Sequence, residues 1–382
     1  MMNAVLYLLI VGCCVYTAGV LIVILALDRI GSGNSADLPF VTVVIAARNE
    51  RTTLGLCLYS LMVQDYPADR YEVVVADDRS GDGTAEVLAR FREVWETLGI
   101  LRIDSVPDGV SPKKHALMKA IEAARSDVIL QTDADCIAPE TWISGMVRGF
   151  DKDVALVAGL SPYLPARGLL NSFVRHEYLW NAALLAGSMS LGMPTHATGR
   201  NLGFRRDVFT GLGGYGSSER ILSGDDTLLV HRIRHTASHR MVCMPDASTH
   251  VLTPAPSGPA AFVRQRVRHM STGRRFDPLL IAVGGAVYGF HALLPAAFFL
   301  SFISLKSLNV FATVVFWKLL VDAFAAWKTS DILSLDVQWD RFLINEVLLV
   351  LYMAVMPMLG LLVPVKWKDT KETAGRSGAA IQ

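Results

Sequence analysis

The hydrophobic residues of the chain are concentrated near its two ends, and a more polar block, residues 38–278, lies between them. Residues 5–27 carry no charged side chain. A helix of that length, rising about 1.5 Å per residue, crosses a hydrocarbon core of about 30 Å. No basic segment precedes this run, and it exceeds the apolar core of a signal peptide, which spans about 7–15 residues. We therefore predict a retained transmembrane anchor within residues 1–30.

Three further apolar runs follow the polar block, at residues 279–304, 308–327 and 343–365. They predict a C-terminal membrane region, 279–365, of two or three helices, followed by a polar tail at 366–382. The middle run contains Lys318 and Asp322. Because these residues are neighbours on one face of a helix, their opposite charges can neutralise each other.

The polar block alternates between strand-like and helix-like segments. The strand-like segments are 40–47, 71–80 and 127–135, and the helix-like segments between them are 52–64, 84–99 and 116–125. The strand-like segments are continuous apolar runs rich in β-branched residues, as buried parallel strands are. The alternation predicts an α/β fold in which helices cover both faces of a parallel sheet.

Polar and acidic side chains follow all three predicted strands. Residues 48–50 follow the first, Asp77 and Asp78 end the second, and Asp133 and Asp135 end the third. In an open sheet the binding crevice lies outside the carboxyl ends of the strands, so we expect these groups along one rim. Carboxylates suit Mg²⁺ or Mn²⁺, which keep positions for water and substrate phosphates. A solvated loop is the alternative, but the shared rim favours a metal site.

Charge and cysteine content exclude several classes of function. The formal net charge is only +1, so no polybasic surface for nucleic acid is expected. The five cysteines form no Cys-x-x-Cys pair, which argues against a zinc site or a disulfide framework and fits a reducing compartment. No Gly-x-Gly-x-x-Gly sequence opens the first helix of the polar block and no Walker A sequence is present, which argues against a nicotinamide or P-loop site.

A series of short motifs between about Pro39 and Arg275 resembles a known family. In chain order these motifs are "VVIAARNE", "DDRSGDGT", "PKKHAL", "TDADC", "SGDDTLLVHRI" and "QRVRH". Their order is similar to that of the membrane-bound inverting glycosyltransferases of family 2. This family includes ceramide and carotenoid glucosyltransferases and the hyaluronan, chitin and cellulose synthases. The resemblance implies a GT-A catalytic domain at 38–278, flanked by membrane helices.

The resemblance also implies which residues bind the donor. Arg48 and Glu50 would lie near the nucleotide base, and Asp78 would contact the uracil of a UDP-sugar. Lys113 would lie near the donor, although Pro112 replaces the family's usual glycine beside it.

The metal and diphosphate positions follow from two further motifs. In "TDADC", Asp135 would be the direct ligand of Mg²⁺ or Mn²⁺, and Asp133 would lie near the ribose or the metal. In "QRVRH", Gln265 and Arg268 match the family's Gln-x-x-Arg-Trp motif, and Arg268 would reach the diphosphate. His269 stands on the acceptor side where tryptophan is expected. The alternative for this motif is a basic amphipathic stretch at the membrane surface.

The resemblance implies that two segments form the acceptor side of the site. In "SGDDTLLVHRI", Asp225 replaces the family's glutamate and Asp226 would be the catalytic base. The alternative is a helix N-cap pair, and Asp225 could fill that role while Asp226 does chemistry. Gly199, Arg200 and Asn201 would face the acceptor.

These assignments predict an inverting transferase that moves a hexose, with glucose the expected sugar, from a UDP-sugar to a lipid hydroxyl. A carotenoid, a ceramide-like lipid or a hopanoid would serve as acceptor. A processive polysaccharide synthase is the alternative within the family, although it requires the tryptophan that His269 replaces. A non-catalytic nucleotide-sugar-binding membrane protein is the alternative from another class. The segment 169–193 fits either a buried core helix or an interfacial helix that admits a lipid.

Topology follows from the donor, since nucleotide sugars are cytosolic. We expect a multi-pass protein of the cell inner membrane with a cytosolic catalytic domain, and Arg29 lies on the matching side of the first span. Three C-terminal spans would place the lysine-containing tail outside, against the positive-inside tendency. One of the three runs is therefore expected to re-enter the membrane or to lie in the interface. The oligomeric state is left open.

Overall fold

The computed structural model describes residues 2–31, 33, 35–236, 239–271, 273, 276–362, 366–367 and 370–371. The strands of its main sheet are β1 (Val41–Ala47), β2 (Tyr71–Asp78), β3 (Leu98–Ile103), β4 (Val128–Asp133), β5 (Val154–Gly159), β6 (Leu202–Arg205) and β7 (Arg240–Met244). The helices between the strands and just after them are α2 (Leu54–Met62), α3 (Thr84–Val94), α4 (Pro112–Ala123), α5 (Trp142–Val147), α6 (Leu169–Ser190), α7 (Arg206–Gly211), α8 (Thr227–Thr236) and α9 (Pro259–Ser271).

Four long apolar helices flank this α/β block. They are α1 (Met2–Ala26), α10 (Pro278–Leu300), α11 (Leu305–Leu333) and α12 (Phe342–Leu362). By length and composition, one N-terminal and three C-terminal helices are able to cross a membrane. A short hairpin of β8 (Lys366–Trp367) and β9 (Thr370–Lys371) follows them.

The main sheet has the strand order β3-β2-β1-β4-β6-β5-β7. Strand β1 pairs in parallel with both β2 and β4, so the three strands predicted from the sequence are neighbours. The sheet is mixed rather than purely parallel, because β6 runs antiparallel to β4 and β5. Strand β6 enters the sheet after the long helix α6, and no sequence periodicity marks the direction of such a short strand.

The predicted helix over 84–99 was too long. Helix α3 ends at Val94, and β3 begins at Leu98 as an edge strand paired with β2. The helix stops where Trp95 adopts an extended conformation and packs its ring edge against Tyr71, with a ring-centroid separation of 6.4 Å and ring planes inclined at 61°.

Helix α6 lies between the sheet and the membrane helices. It contacts β7 on one side and α1, α11 and α12 on the others. A Cβ added at Gly187 of α6 would come within 2.6 Å of the Val23 carbonyl oxygen, so α6 and α1 approach closely there. Of the two interpretations of segment 169–193, the structure therefore supports a buried helix.

A buried polar cluster joins α6 to the membrane helices. Lys318 binds Asp322, as predicted, and its Nζ also lies 2.7 Å from Glu346 Oε2. The Tyr16 hydroxyl donates to Asp322 Oδ1 at 2.7 Å, and His176 Nε2 lies 2.8 Å from Glu346 Oε1. All five side chains are buried. The cluster therefore connects α1, α6, α11 and α12 through charged groups that water does not reach.

We expect the Lys318→Met substitution to lower the free energy of unfolding by about 3–5 kcal/mol, because it leaves two buried carboxylates without their cation. Lys328→Met is the matched control on the same helix, since Lys328 binds Asp28, whose side chain is 56% exposed. Thermal unfolding in detergent measures the stability of both variants relative to the wild type. Equal shifts in the two variants would contradict an energetic role for the buried cluster.

Candidate active site

The acidic groups predicted to share one rim do so in the structure. In the parallel register Ala47 of β1 lies opposite Asp77, and Ala46 lies opposite Asp133. The carboxyl ends of β1, β2 and β4 therefore meet at one edge of the sheet. Asp135 lies two residues after the end of β4, and the charges of Asp133 and Glu50 both act on its carboxyl group.

Two loops on the β1–β2 side of the rim are tied together. Asn49 and Arg79 have positive φ angles of 54° and 55°, a backbone conformation that asparagine tolerates better than most residues. The Asn49 amide donates to Ser80 Oγ at 3.0 Å, and the Gly81 amide donates to Asn49 Oδ1 at 2.9 Å. These reciprocal bonds hold the predicted base-binding loops in one arrangement.

Asp78 lies at the end of β2, between two arginines. Its carboxylate is almost completely buried, and it accepts from Arg79 Nε at 2.8 Å and from Arg48 Nη1 at 3.4 Å. Glu50 accepts from the Thr53 hydroxyl at 2.8 Å. The three residues predicted to lie near the nucleotide base thus occupy one end of the rim.

Lys113 connects the two acidic motifs. It lies in the first turn of α4, and its Nζ is 2.9 Å from Asp133 Oδ1 and 3.1 Å from Asp225 Oδ2. One ammonium group thereby links the tip of β4 to the segment before α8. The Asp-x-Asp pair and the Asp225–Asp226 pair therefore lie on the same cleft.

The two adjacent aspartates have different environments. Burial opposes ionisation of Asp225, but the positive charges of Lys113 and Lys114 outweigh it and lower the pKa of this carboxyl group. Burial and then the charge of Asp225 raise the pKa of Asp226. Because a general base works best with a pKa near the operating pH, Asp226 suits that role better than Asp225.

Asp226, rather than Asp225, directly precedes α8 and bonds to its first amide. Asp226 Oδ1 accepts from the amide of Thr227, the first residue of α8, at 2.5 Å, and Oδ2 accepts from the Gly199 amide at 2.8 Å. Asp225 turns toward Lys113 because that ammonium group is its nearest compensating charge. Both backbone bonds fix the orientation of the Asp226 carboxylate.

Gly199 stands where the two acidic motifs leave no room for a side chain. A Cβ there would lie 2.6 Å from Gln131 Nε2 and 2.9 Å from Asp225 Oδ2. Gln131 Nε2 itself donates to the Gly199 carbonyl oxygen at 3.2 Å and to Asp225 Oδ2 at 3.3 Å. Gln131 is a site residue that the motif comparison missed. Its signal is a buried polar side chain within the apolar run of β4.

The donor set around Asp135 fits a hard divalent cation. Burial, and then the charges of Asp133 and Glu50, raise the pKa of Asp135, so negative charge is concentrated at this point. A bound cation would relieve it, and two carboxylates leave positions for water and phosphate oxygens. Among the described residues, no group of three or more histidine, cysteine, aspartate or glutamate side chains forms a complete metal cage.

Helix α9 brings the "QRVRH" motif to the same cleft. His269 is exposed at the cleft surface, yet the surrounding protein and then the charges of Arg268, Arg266, Arg200 and Lys113 lower its pKa well below the usual value. His269 is therefore neutral at physiological pH.

Gln265 lies one turn earlier on α9. Its Oε1 is buried and accepts no hydrogen bond within the part of the chain that the structure describes. Such an oxygen is available to a bound ligand.

Of the residues predicted to face the acceptor, Asn201 does not. Its side chain is fully buried, donates to the carbonyl oxygens of Leu160 and Thr249 at 2.7 Å each, and accepts from Trp142 Nε1 at 2.8 Å. These bonds make Asn201 a structural residue beneath the cleft. Arg200 is half-buried, with its guanidinium group 5.5 Å from the centre of the Tyr163 ring.

The fold is shared with a solved glycosyltransferase. The mannosyltransferase PcManGT from Pyrobaculum calidifontis, solved with GDP-Man and Mn²⁺, superposes with a TM-score of 0.60 at 20% sequence identity. The match covers 89% of this chain and 100% of that protein. The α/β block is therefore a GT-A fold.

The model of glycosyl transferase family 2 matches residues 42–212, and that of glycosyl transferase family group 2 matches residues 128–326. The second match spans more than half of the chain. The chain therefore belongs to the family-2 glycosyltransferases.

Curated relatives match parts of the chain. The probable glycosyltransferase YdaM of Bacillus subtilis is 28% identical over 54% of this chain and 49% of its own length. The glycosyltransferase AglE of Haloferax volcanii is 28% identical over 50% of this chain and 60% of its own length. The β-monoglucosyldiacylglycerol synthase of Synechocystis is 30% identical over 31% of this chain and 25% of its own length. The chain thus spans 49% and 60% of the length of the first two relatives and a quarter of the third.

We expect Gly199→Ala to lower the transfer rate by about 10²-fold, because the new methyl group displaces Gln131 and Asp225 and misplaces Asp226, the predicted base. Gly211→Ala is the control, since a Cβ at Gly211 meets no heavy atom within 4 Å. Initial rates and thermal unfolding should be measured for both variants. Wild-type rates in Gly199→Ala would show that the close packing here has no catalytic consequence.

We expect Asp225→Asn to move the acid limb of the kcat/KM profile to lower pH. The base must be ionised to act, and the Asp225 charge raises the pKa of Asp226, so its removal lets Asp226 stay ionised in more acidic solution. Asp127→Asn, at an exposed carboxylate paired with Arg206, should leave the limb in place. An unchanged limb in Asp225→Asn, or a shift to higher pH, would exclude Asp226 as the titrating base.

Proposed function

We propose that this glycosyltransferase transfers a hexose, with glucose the expected sugar, from a UDP-sugar to a hydroxyl group of a membrane lipid, with inversion at the anomeric carbon. One observation carries the proposal. Lys113 binds both Asp133 and Asp225, and so joins the donor-side acids to the acceptor-side acids in one cleft. A diphosphate leaving group and an acceptor hydroxyl bound there would be close enough to react.

Asp135 and Asp133 would hold Mg²⁺ or Mn²⁺, consistent with the charge concentrated on Asp135. The ion, when bound, would offset the negative charge that develops on the departing diphosphate. Lys113 lies beside Asp133 and would add a second positive charge, and Arg268 on α9 would add a third. Gln265, whose buried Oε1 accepts no hydrogen bond from the described residues, would orient the donor.

Transfer with inversion is a single in-line displacement. The acceptor oxygen forms a bond to the anomeric carbon while the bond from that carbon to the diphosphate oxygen breaks, and UDP leaves with the electron pair. The acceptor proton passes to the Asp226 carboxylate. The Gly199 and Thr227 amides hold this carboxylate in place, so no rotation is needed when the acceptor arrives.

A lipid acceptor is supported by the position of the catalytic block against four apolar helices. The Synechocystis relative is named as a synthase of a glucosylated lipid, although the match covers only part of both chains. A carotenoid, a ceramide-like lipid or a hopanoid would offer the same hydroxyl chemistry. Because UDP-sugars are found in the cytosol, the catalytic block would lie on the cytosolic side of the inner membrane.

We expect Asp226→Asn to reduce transfer by about 10²–10⁴-fold, because the amide cannot accept the acceptor proton. UDP binding should change little, since Asp226 lies on the acceptor side. UDP release in the presence of membrane lipids measures the rate, and calorimetry measures UDP binding. Asp127→Asn serves as the control for loss of a carboxylate outside the cleft.

Loss of both UDP binding and transfer in Asp226→Asn would assign this residue to the donor rather than the acceptor. The acceptor is tested separately by mass spectrometry of lipids from cells that lack the protein. A missing hexosyl lipid supports the proposal, whereas a missing polymer would indicate a processive synthase. Normal UDP binding with no transfer by the wild-type chain to any lipid or polymer would indicate a non-catalytic nucleotide-sugar-binding protein.

A further inference from the structure

Helices α6, α9 and α12 meet at a buried ion pair that the proposed reaction does not use. Arg266 of α9 is 5% exposed, and its Nη2 lies 2.5 Å from Glu177 Oε2 of α6. The hydroxyl of Tyr352, on membrane helix α12, donates to the other oxygen of Glu177 at 3.3 Å. We call these three residues, Arg266, Glu177 and Tyr352, the α9 clamp.

Aromatic packing fixes the same three helices. The rings of Phe173, Phe262 and Tyr352, one from each helix, have centroid separations of 5.7–5.9 Å. The Arg266 guanidinium group lies 5.1 Å from the centre of the Phe262 ring. The ion pair is therefore packed against a cluster of aromatic side chains, and this packing limits the positions that α9 can take.

Helix α9 also approaches α12 closely at a second point. A Cβ added at Gly360 of α12 would lie 2.4 Å from the Met270 Cβ of α9. Contact at both Tyr352 and Gly360 determines where α9 lies along the membrane helix, so α9 can neither slide nor tilt without breaking one of them.

Arg266 of the α9 clamp lies within the "QRVRH" motif, which is proposed to bind the donor. Gln265 precedes Arg266 directly, and Arg268 follows two residues later. Arg266 Nη2 also donates to the Tyr163 hydroxyl at 3.2 Å. The guanidinium group of Arg200 lies over the same Tyr163 ring, 5.5 Å from its centre. A displacement of Arg266 would therefore move groups on two sides of the cleft.

We propose that Arg266, Glu177 and Tyr352 are positioning residues, which hold Gln265 and Arg268 of α9 at the diphosphate site by anchoring α9 to membrane helix α12. This inference rests on the proposed function, because it requires that the cleft bind a nucleotide diphosphate. A buried ion pair with a purely structural role would affect stability without affecting donor binding.

The test uses the full chain in lipid nanodiscs, with UDP and Mn²⁺ as the probe. Glu177→Gln leaves Arg266 without its counter-charge, and Tyr352→Phe removes one hydrogen bond while it keeps the aromatic ring. Asp336→Asn is the matched control, since it removes the exposed partner of Arg175, which also lies on α6 but is not part of the α9 clamp. Calorimetry gives the Kd for UDP, steady-state rates give KM and kcat, and hydrogen exchange reports on the amides of α9.

We expect both clamp variants to weaken UDP binding and to raise the donor KM, by about 10-fold in Glu177→Gln and by less in Tyr352→Phe. Hydrogen exchange should become faster in residues 259–271, and Glu177→Asp should recover part of the affinity. Asp336→Asn should match the wild type in all of these measurements. If Glu177→Gln does not fold, Tyr352→Phe alone decides the outcome.

Wild-type Kd and KM in the clamp variants, even with a lower melting temperature, would overturn the inference and leave the proposed function intact. Faster exchange in α9 with unchanged UDP binding would also overturn it, because the helix would then move without consequence for the donor. Failure of the wild-type chain to bind UDP would instead overturn the proposed function, and the inference with it.

Discussion

The candidate site depends on one ammonium group placed between two carboxylates. Without Lys113, Asp133 and Asp225 would face each other across the cleft with no compensating charge, and the β4 tip and the segment before α8 would repel each other. With Lys113 in place, Asp225 stays ionised and raises the pKa of Asp226. The same group therefore brings the acidic motifs together and makes the two adjacent aspartates chemically different.

The packing around this bridge is correspondingly tight. Gly199 has no space for a side chain, Gln131 fills the gap between Gly199 and Asp225, and Asn201 ties the underlying segments together from below. Gly199 and Gln131 contact the aspartates through hydrogen bonds whose geometry would change with small shifts of the backbone. A site built in this way is preorganised, since the carboxylate of Asp226 is oriented before any substrate arrives.

The membrane helices are joined to the catalytic block through polar as well as apolar contacts. The buried cluster around Lys318 connects α1, α11 and α12 to His176 of α6, and the α9 clamp connects α12 to α9. Charged groups in an apolar interior are costly unless they are paired. Their pairing here fixes which helices are neighbours, so that the cleft has a defined position relative to the bundle.

The sequence by itself determined the α/β alternation, the apolar helices and the acidic rim. These features follow from local periodicity, from the length of uncharged runs, and from the rule that parallel strands end at the same edge. The Lys318–Asp322 pair was also predictable, because its partners are one helical turn apart. Local patterns could not reveal the edge strand β3 or the antiparallel direction of β6, since pairing partners far along the chain decide both.

Only the tertiary structure decided which polar residues meet. Lys113 and Asp225 are distant in sequence, and no spacing rule predicts their contact. Asn201 belongs to a motif expected to face the acceptor, yet its amide is used by buried carbonyl groups. Gln131 and Arg266 acquire their importance from partners on other elements. The physical reason is that charge pairing and burial depend on distances in space, whereas a sequence pattern records only distances along the chain.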